Sequence, residues 1–277
     1  MSTAPPMELY DTALTAEITD GLALVEQRLQ AASASQNKLL AQTSVHLIDA
    51  GGKRFRPTLT LLAARFGDPS DRRIVPAAAA IELTHLATLY HDDVMDEAGI
   101  RRGQPSANSK WTNTVAILTG DFLFARASQL LADIGTDAVR IQADTFTRLV
   151  RGQIAETVGP QPGEDPLAHY LMVAQEKTAS LIGTAGQFGA LFAGAPPEVV
   201  ARVESACEAI GVAWQLSDDI LDVASESAES GKAPGTDLRE GVRSLPVLHA
   251  LAPGAAMAGS PEPGDARLRD LLSRSEK

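Results

Sequence analysis

A single cysteine, Cys207, stands in 277 residues, so no disulfide can close within the chain and a reducing cytoplasm is its natural compartment. It lies in an apolar helical stretch and is expected to be a buried small hydrophobe. Aromatic residues are also scarce at 4%, while alanine and leucine are abundant, a balance that favours helix over sheet. Basic residues are outnumbered, 24 against 35 acidic, for a net charge of −11. That balance argues against a nucleic-acid partner or an anionic membrane surface, because such partners select clustered Lys and Arg. Local anion sites remain open. No apolar run reaches the ~20 residues that span a bilayer, since the longest weakly charged stretch, 76–91, is broken by Glu82 and His85. The opening MSTAPPMELYDTALTAE lacks a basic region ahead of an apolar core, so no signal peptide is expected.

What the sequence does hold is helical periodicity. Apolar residues recur at spacings of three and four along most of the chain, and Gly, Pro, Ser and Asp mark the breaks. Two helices are expected between 15 and 50, stopped by Gly51-Gly52. Pro57 suits the first turn of a third that runs to Phe66. Pro76 opens a strongly apolar helix reaching Asp96, followed by a polar loop from Glu97 to Ser109. Further helices are expected over 112–133, 136–157, 166–194 and 197–224. The polar, Gly-containing stretch 225–241 reads as a flap, and 252–277 as a linker with one short helix.

Two acidic motifs carry the chemistry. Asp92-Asp93-Val94-Met95-Asp96 ends an apolar helix, and Asp218-Asp219-Ile220-Leu221-Asp222 repeats the DDxxD spacing in another. At 3.6 residues per turn the outer aspartates of each motif lie on one face about 6 Å apart. Like charges so placed repel unless a cation lies between them. One acidic cluster would be an ordinary solvated face, but two copies at the ends of apolar runs are poorly explained by coincidence. The ligands are all carboxylates, with no His/Cys set, which points to magnesium completed by substrate phosphates rather than to zinc. An EF-hand is disfavoured by the missing central Gly and terminal Glu. Nearby, Gly51-Gly52-Lys53-Arg54-Phe55-Arg56 places three cations at a helix start, where free amides favour an anion. Arg101-Arg102, Lys177-Thr178 and Gly231-Lys232 add donors, so the partner anion reads as a diphosphate.

The stretches GGKRFRP, ELTHLATLYHDDVMDEAGIRRG, AILTGDFLFARA, EKTASLIGTAGQFGA, WQLSDDILD and GKAPGTDLREG together resemble the trans-type polyprenyl diphosphate synthase family. The resemblance covers about 45 to 250. It implies a single all-α domain over 1–277, an isoprenoid-synthase-like helical bundle around a central cavity, acting as a homodimer. The chain stops sooner than members commonly do, so C-terminal helices are expected to be lacking. By this resemblance Lys53, Arg56, His85 and Arg102 bind isopentenyl diphosphate. Asp92, Asp93 and Asp96, with Arg101, bind the allylic prenyl diphosphate through magnesium, and Asp218, Asp219 and Asp222 hold the remaining metal, three ions in all. Lys177, Thr178, Gln215 and Lys232 contact the allylic diphosphate or steady the cation at C1. The reaction is ionisation of the allylic diphosphate and attack by the isopentenyl double bond, after which a proton is lost.

Ala87 lies five residues before Asp92, about 7.5 Å of axial rise, where bulk would stop a growing tail. Family members with short products carry an aromatic four or five residues before the first aspartate, whereas Ala87 and Thr88 are small. The expected product is roughly C30 to C50, with Tyr90 pointing elsewhere on the helix. A terpene cyclase or a head-to-head condensing enzyme is the nearest competing reading. GGKRFRP and the second full DDxxD speak against it. A non-catalytic partner subunit is a third, opposed by the presence of all six aspartates.

Overall fold

The computed structural model describes residues 11–224 and 244–251. They are almost entirely helical. In chain order the helices are α1 (Thr12–Ser33), α2 (Lys38–Asp49), α3 (Phe55–Ala63), α4 (Ile74–Met95), α5 (Ala107–Lys110), α6 (Asn113–Ile134), α7 (Thr136–Val158), α8 (Pro166–Val173), α9 (Ser180–Phe192), α10 (Pro197–Ala224) and α11 (Leu245–Leu251). The described residues fall into two compact units. One draws on residues 11–147 and Leu181–Glu208, the other on Arg148–Ser180, 209–224 and 244–251.

In the first unit α4 is the axis. It is apolar on every side, with Ala77, Ala78, Ala79, Ala80, Leu83, Leu86 and Tyr90 all buried, the pattern of a helix enclosed by others. Helices α1, α3 and α6 pack against it. Gly120 of α6 permits a close approach, since a Cβ there would sit 2.4 Å from His91 Nε2 and 3.0 Å from the Ala87 carbonyl. Helix α1 starts where the Asp11 carboxylate accepts from the amides of Ala13 and Leu14. It buries Ile18, Leu22, Val25 and Leu29 on one stripe. Tyr90 points to α2, where its hydroxyl donates to the Thr43 carbonyl. Helix α6 is long and apolar enough, by length and composition, to cross a membrane. It nonetheless carries Asp121 and Arg126, and Arg126 Nε donates to the Ala32 carbonyl in the same unit.

The expected helix boundaries hold closely, with two departures. The polar stretch 97–109 is not simply a loop: Ile100–Arg101 and Gln104–Pro105 pair antiparallel as β1 and β2, and α5 follows. Arg102 and Gly103 both take positive φ, 53° and 73°, which two-residue hairpin turns require. The stretch 166–194 is not one regular helix either. Between α8 and α9, Ala174–Ala179 winds as a π-helix, a form that recurs at functional sites. Cys207 is buried, as expected, and burial pushes its thiol up. The expected flap over 225–241 and the short helix within 252–277 lie outside the described residues.

Candidate active site

The first acidic motif sits where α4 ends. Asp96 caps the helix, its amide bonded to the Asp92 carbonyl at 2.8 Å. The three carboxylates are not equivalent: Asp93 is fully buried, Asp92 half-buried and Asp96 exposed. Asp93 Oδ1 accepts from Arg101 Nε at 2.6 Å. Its Oδ2 is buried with no hydrogen-bond partner among the described residues. Burial raises the Asp93 carboxyl above its usual range, the Arg101 charge acts against that, and the Asp96 charge adds to it. Asn108 Nδ2 holds the Asp93 carbonyl at 3.0 Å, while its own Oδ1 is also buried and unpartnered.

The basic cluster lies in the same unit. Gly51 and Gly52 have φ of 87° and 148°, and Arg54 stands at 48° ahead of α3. Of the three cations in this loop, Arg54 turns inward to Glu26 and to Glu82, the latter at 3.1 Å. It is therefore a buried anchor of the loop, whereas Lys53 is exposed and Arg56 half-buried. Arg102 reaches from the hairpin to the carbonyls of Leu47, at 2.7 Å, and Gly51. A Cβ on Gly52 would meet its guanidinium carbon at 2.9 Å, so only glycine lets Arg102 lie across the loop. His85 is half-buried at its surface, but its ring is desolvated. Burial first, then the charges of Arg56, Arg102, Arg101 and Arg54, hold it well below the usual imidazole value. It is neutral at pH 7. The arginine charges gathered around His85 suit an anion. Ala87 and Thr88 are both buried, with Thr88 Oγ1 bonded to the His85 carbonyl at 2.8 Å.

The second unit holds the other motif. Asp219 is buried at 3% exposure, Asp222 is half-buried and Asp218 exposed. Asp219 accepts from Tyr170 Oη at 2.6 Å, Gln215 Nε2 at 2.9 Å and the Leu245 amide at 3.2 Å. Thr178 Oγ1 donates to Gln215 Oε1 at 2.8 Å. Thr178, Gln215 and Asp219 thus form one chain of hydrogen bonds. Lys177, from the π-helical stretch, pairs instead with Glu156 of α7. Lys232 lies outside the described residues.

Among the described residues no three His, Cys, Asp or Glu side chains converge closely enough to hold an ion by themselves. Magnesium characteristically binds one or two carboxylates and completes its shell with water and phosphate. The all-oxygen donor set, with a buried and unpartnered Asp93 Oδ2, fits that ion. Sequence reasoning missed Tyr170, Asn108, Glu156 and the Glu26/Glu82 pair. Each acts through a contact distant in the chain, and no local pattern singles any of them out.

The family profile described as polyprenyl synthetase matches residues 37–264. Nonaprenyl diphosphate synthase of Mycobacterium tuberculosis is 48% identical over 275 residues, spanning 96% of this chain and 82% of that one. Dimethylallyltranstransferase of the same organism is 41% identical over 270 residues, spanning 97% and 80%. The crystal structure of geranylgeranyl pyrophosphate synthase from Corynebacterium glutamicum, complexed with calcium and isoprenyl diphosphate, superposes with a TM-score of 0.80 at 45% identity. It covers 98% of this chain and 85% of that one. Two DDxxD helices, an arginine cluster suited to an anion and these likenesses converge on one conclusion: the chain belongs to the polyprenyl synthetase family, all-α prenyltransferases of the isoprenoid-synthase fold.

Proposed function

We propose that the chain condenses isopentenyl diphosphate head to tail with an allylic prenyl diphosphate, with magnesium, as a homodimer in the cytoplasm, to a product of roughly C30 to C50. The observation that carries this is the shared build of the two motifs. In each, the middle aspartate is buried and tied to the protein, leaving the outer pair at the more exposed positions. Asp92, Asp93, Asp96, Asp218, Asp219 and Asp222 would hold the magnesium. Bound there, the ion supplies positive charge against a departing diphosphate. Arg101 and Lys177 add fixed cations beside the allylic diphosphate, and Thr178 and Gln215 orient it. Lys53, Arg56, Arg102 and neutral His85 hold isopentenyl diphosphate, so that its double bond lies ready to attack the allylic carbon. The released diphosphate takes the proton lost from the new chain. Calcium with isoprenyl diphosphate in the Corynebacterium relative supports a divalent ion beside this substrate class. Small Ala87 and Thr88 and the nonaprenyl relative support the longer product. Exposed Ile117 and Leu118 on α6 support a self-association face.

The test is incubation of purified protein with labelled isopentenyl diphosphate, allylic starters of increasing length and magnesium, followed by product sizing. Light scattering on the same sample reads the oligomer. Chain-extended diphosphates of at least six units from a dimer are expected. Consumption of the allylic diphosphate without isopentenyl diphosphate would instead identify a cyclase. Products no longer than four units would overturn the length assignment.

A further inference from the structure

The two buried aspartates are held by opposite means. Asp93 is met by a cation, Arg101, and keeps one oxygen unpartnered among the described residues. Asp219 is met by three neutral donors from three different elements: Tyr170 of α8, Gln215 one turn back on α10, and the amide of Leu245, the first residue of α11. Both of its oxygens are engaged, and the shortest bond is the phenol's at 2.6 Å. A hydroxyl donating to a carboxylate at that length is among the stronger protein hydrogen bonds. A rotating carboxylate with one partner would be free to turn. Bracketed between Tyr170 on Oδ2 and Gln215 on Oδ1, this one has a fixed plane.

We propose that Tyr170 is a positioning residue for the second acidic motif, its phenol locking Asp219 so that the turn of α10 carrying Asp218 and Asp222 is oriented to take magnesium with diphosphate. The inference rests on the proposed function. Because Gln215 also accepts from Thr178, the phenol is joined through Asp219 and Gln215 to Thr178, a proposed diphosphate contact. Outer partners of metal ligands act in this way: they fix ligand orientation, and their loss costs roughly 10- to 100-fold in metal affinity. The donors to Asp219 are neutral and bring no charge to it, whereas Arg101 brings a positive charge to Asp93.

The test is a thermal melt of the full chain with inorganic diphosphate, titrated with magnesium, for wild type and Tyr170→Phe. The Phe variant keeps the ring and its packing. We expect the magnesium midpoint for stabilisation to rise at least about tenfold, with the melt in the absence of metal little changed and kcat falling more than the KM for isopentenyl diphosphate rises. A variant that melts lower without metal but shows the wild-type midpoint would overturn the inference, since the phenol would then only support the fold. Should the variant not fold, 3-fluorotyrosine at position 170, a stronger donor of nearly equal size, is expected to lower the midpoint, and an unchanged midpoint would again overturn it. If wild type itself gains no stability from magnesium with diphosphate, the proposed function fails first.

Discussion

His85 shows at the scale of one residue how the surroundings set chemistry. Its ring is surrounded by the charges of four guanidinium groups, Arg56, Arg102, Arg101 and Arg54, with Glu82 the nearby carboxylate that pairs with Arg54 and approaches Arg102. The folded imidazole therefore titrates well below its unfolded value of about 6.5. The native state then binds fewer protons than the unfolded state in that window, so stability rises with pH and is lost as pH falls below about 6.5. For His85→Gln this component disappears. Denaturant unfolding at pH 7.5 and 5.5 should show wild type losing about 1 kcal/mol more than the variant over that interval. Equal losses would mean that the ring is not shielded as described. Neither the neutrality of His85 nor the inward turn of Arg54 was legible in the sequence. GGKRFRP announces three cations, but which one is withdrawn depends on Glu26 and Glu82, both 28 residues away.

At the scale of elements, periodicity and punctuation located the helices well because most are amphipathic or bounded by Asp, Asn, Gly or Pro. The π-helical stretch Ala174–Ala179 was invisible for the same reason: its composition is that of ordinary helix. It also has a close tertiary neighbour. Gly152 of α7 lies so close that a Cβ there would stand 2.5 Å from the Lys177 nitrogen and 2.9 Å from its Cα. Backbone cannot yield as a side chain can, so Gly152→Ala must displace α7 or the turn bearing Lys177 and Thr178. Overpacking of this kind costs about 1 to 3 kcal/mol. The expected result is a lower melting temperature together with a kcat reduced at least tenfold, read by steady-state kinetics on the folded fraction. Full activity in a destabilised protein would show that the π-helical turn only serves packing.

At the scale of the whole molecule, the acidic motifs and the all-α class were readable from sequence, while the different holds on Asp93 and Asp219 were not. Product length belongs to this scale, because it reflects the space left by several helices at once. Ala87 is buried at 1% exposure, with its carbonyl against Gly120. Ala87→Phe would put an aromatic ring on the α4 face about 7.5 Å from Asp92. Shorter prenyl diphosphates are expected, resolved by chromatography of dephosphorylated products, with melting measured alongside. An unchanged length distribution from a folded variant would remove Ala87 from the tail's path.

The hairpin β1–β2 bears on all of this through two neighbouring arginines. Arg101 reaches back to Asp93 at the end of α4, and Arg102 reaches across to the Leu47 and Gly51 carbonyls. Adjacent residues thus grip, in opposite directions, the two places assigned to the two substrates. Under the proposed function, one short hairpin would then serve both the starter and the extender, and a change to either arginine would be felt at both places.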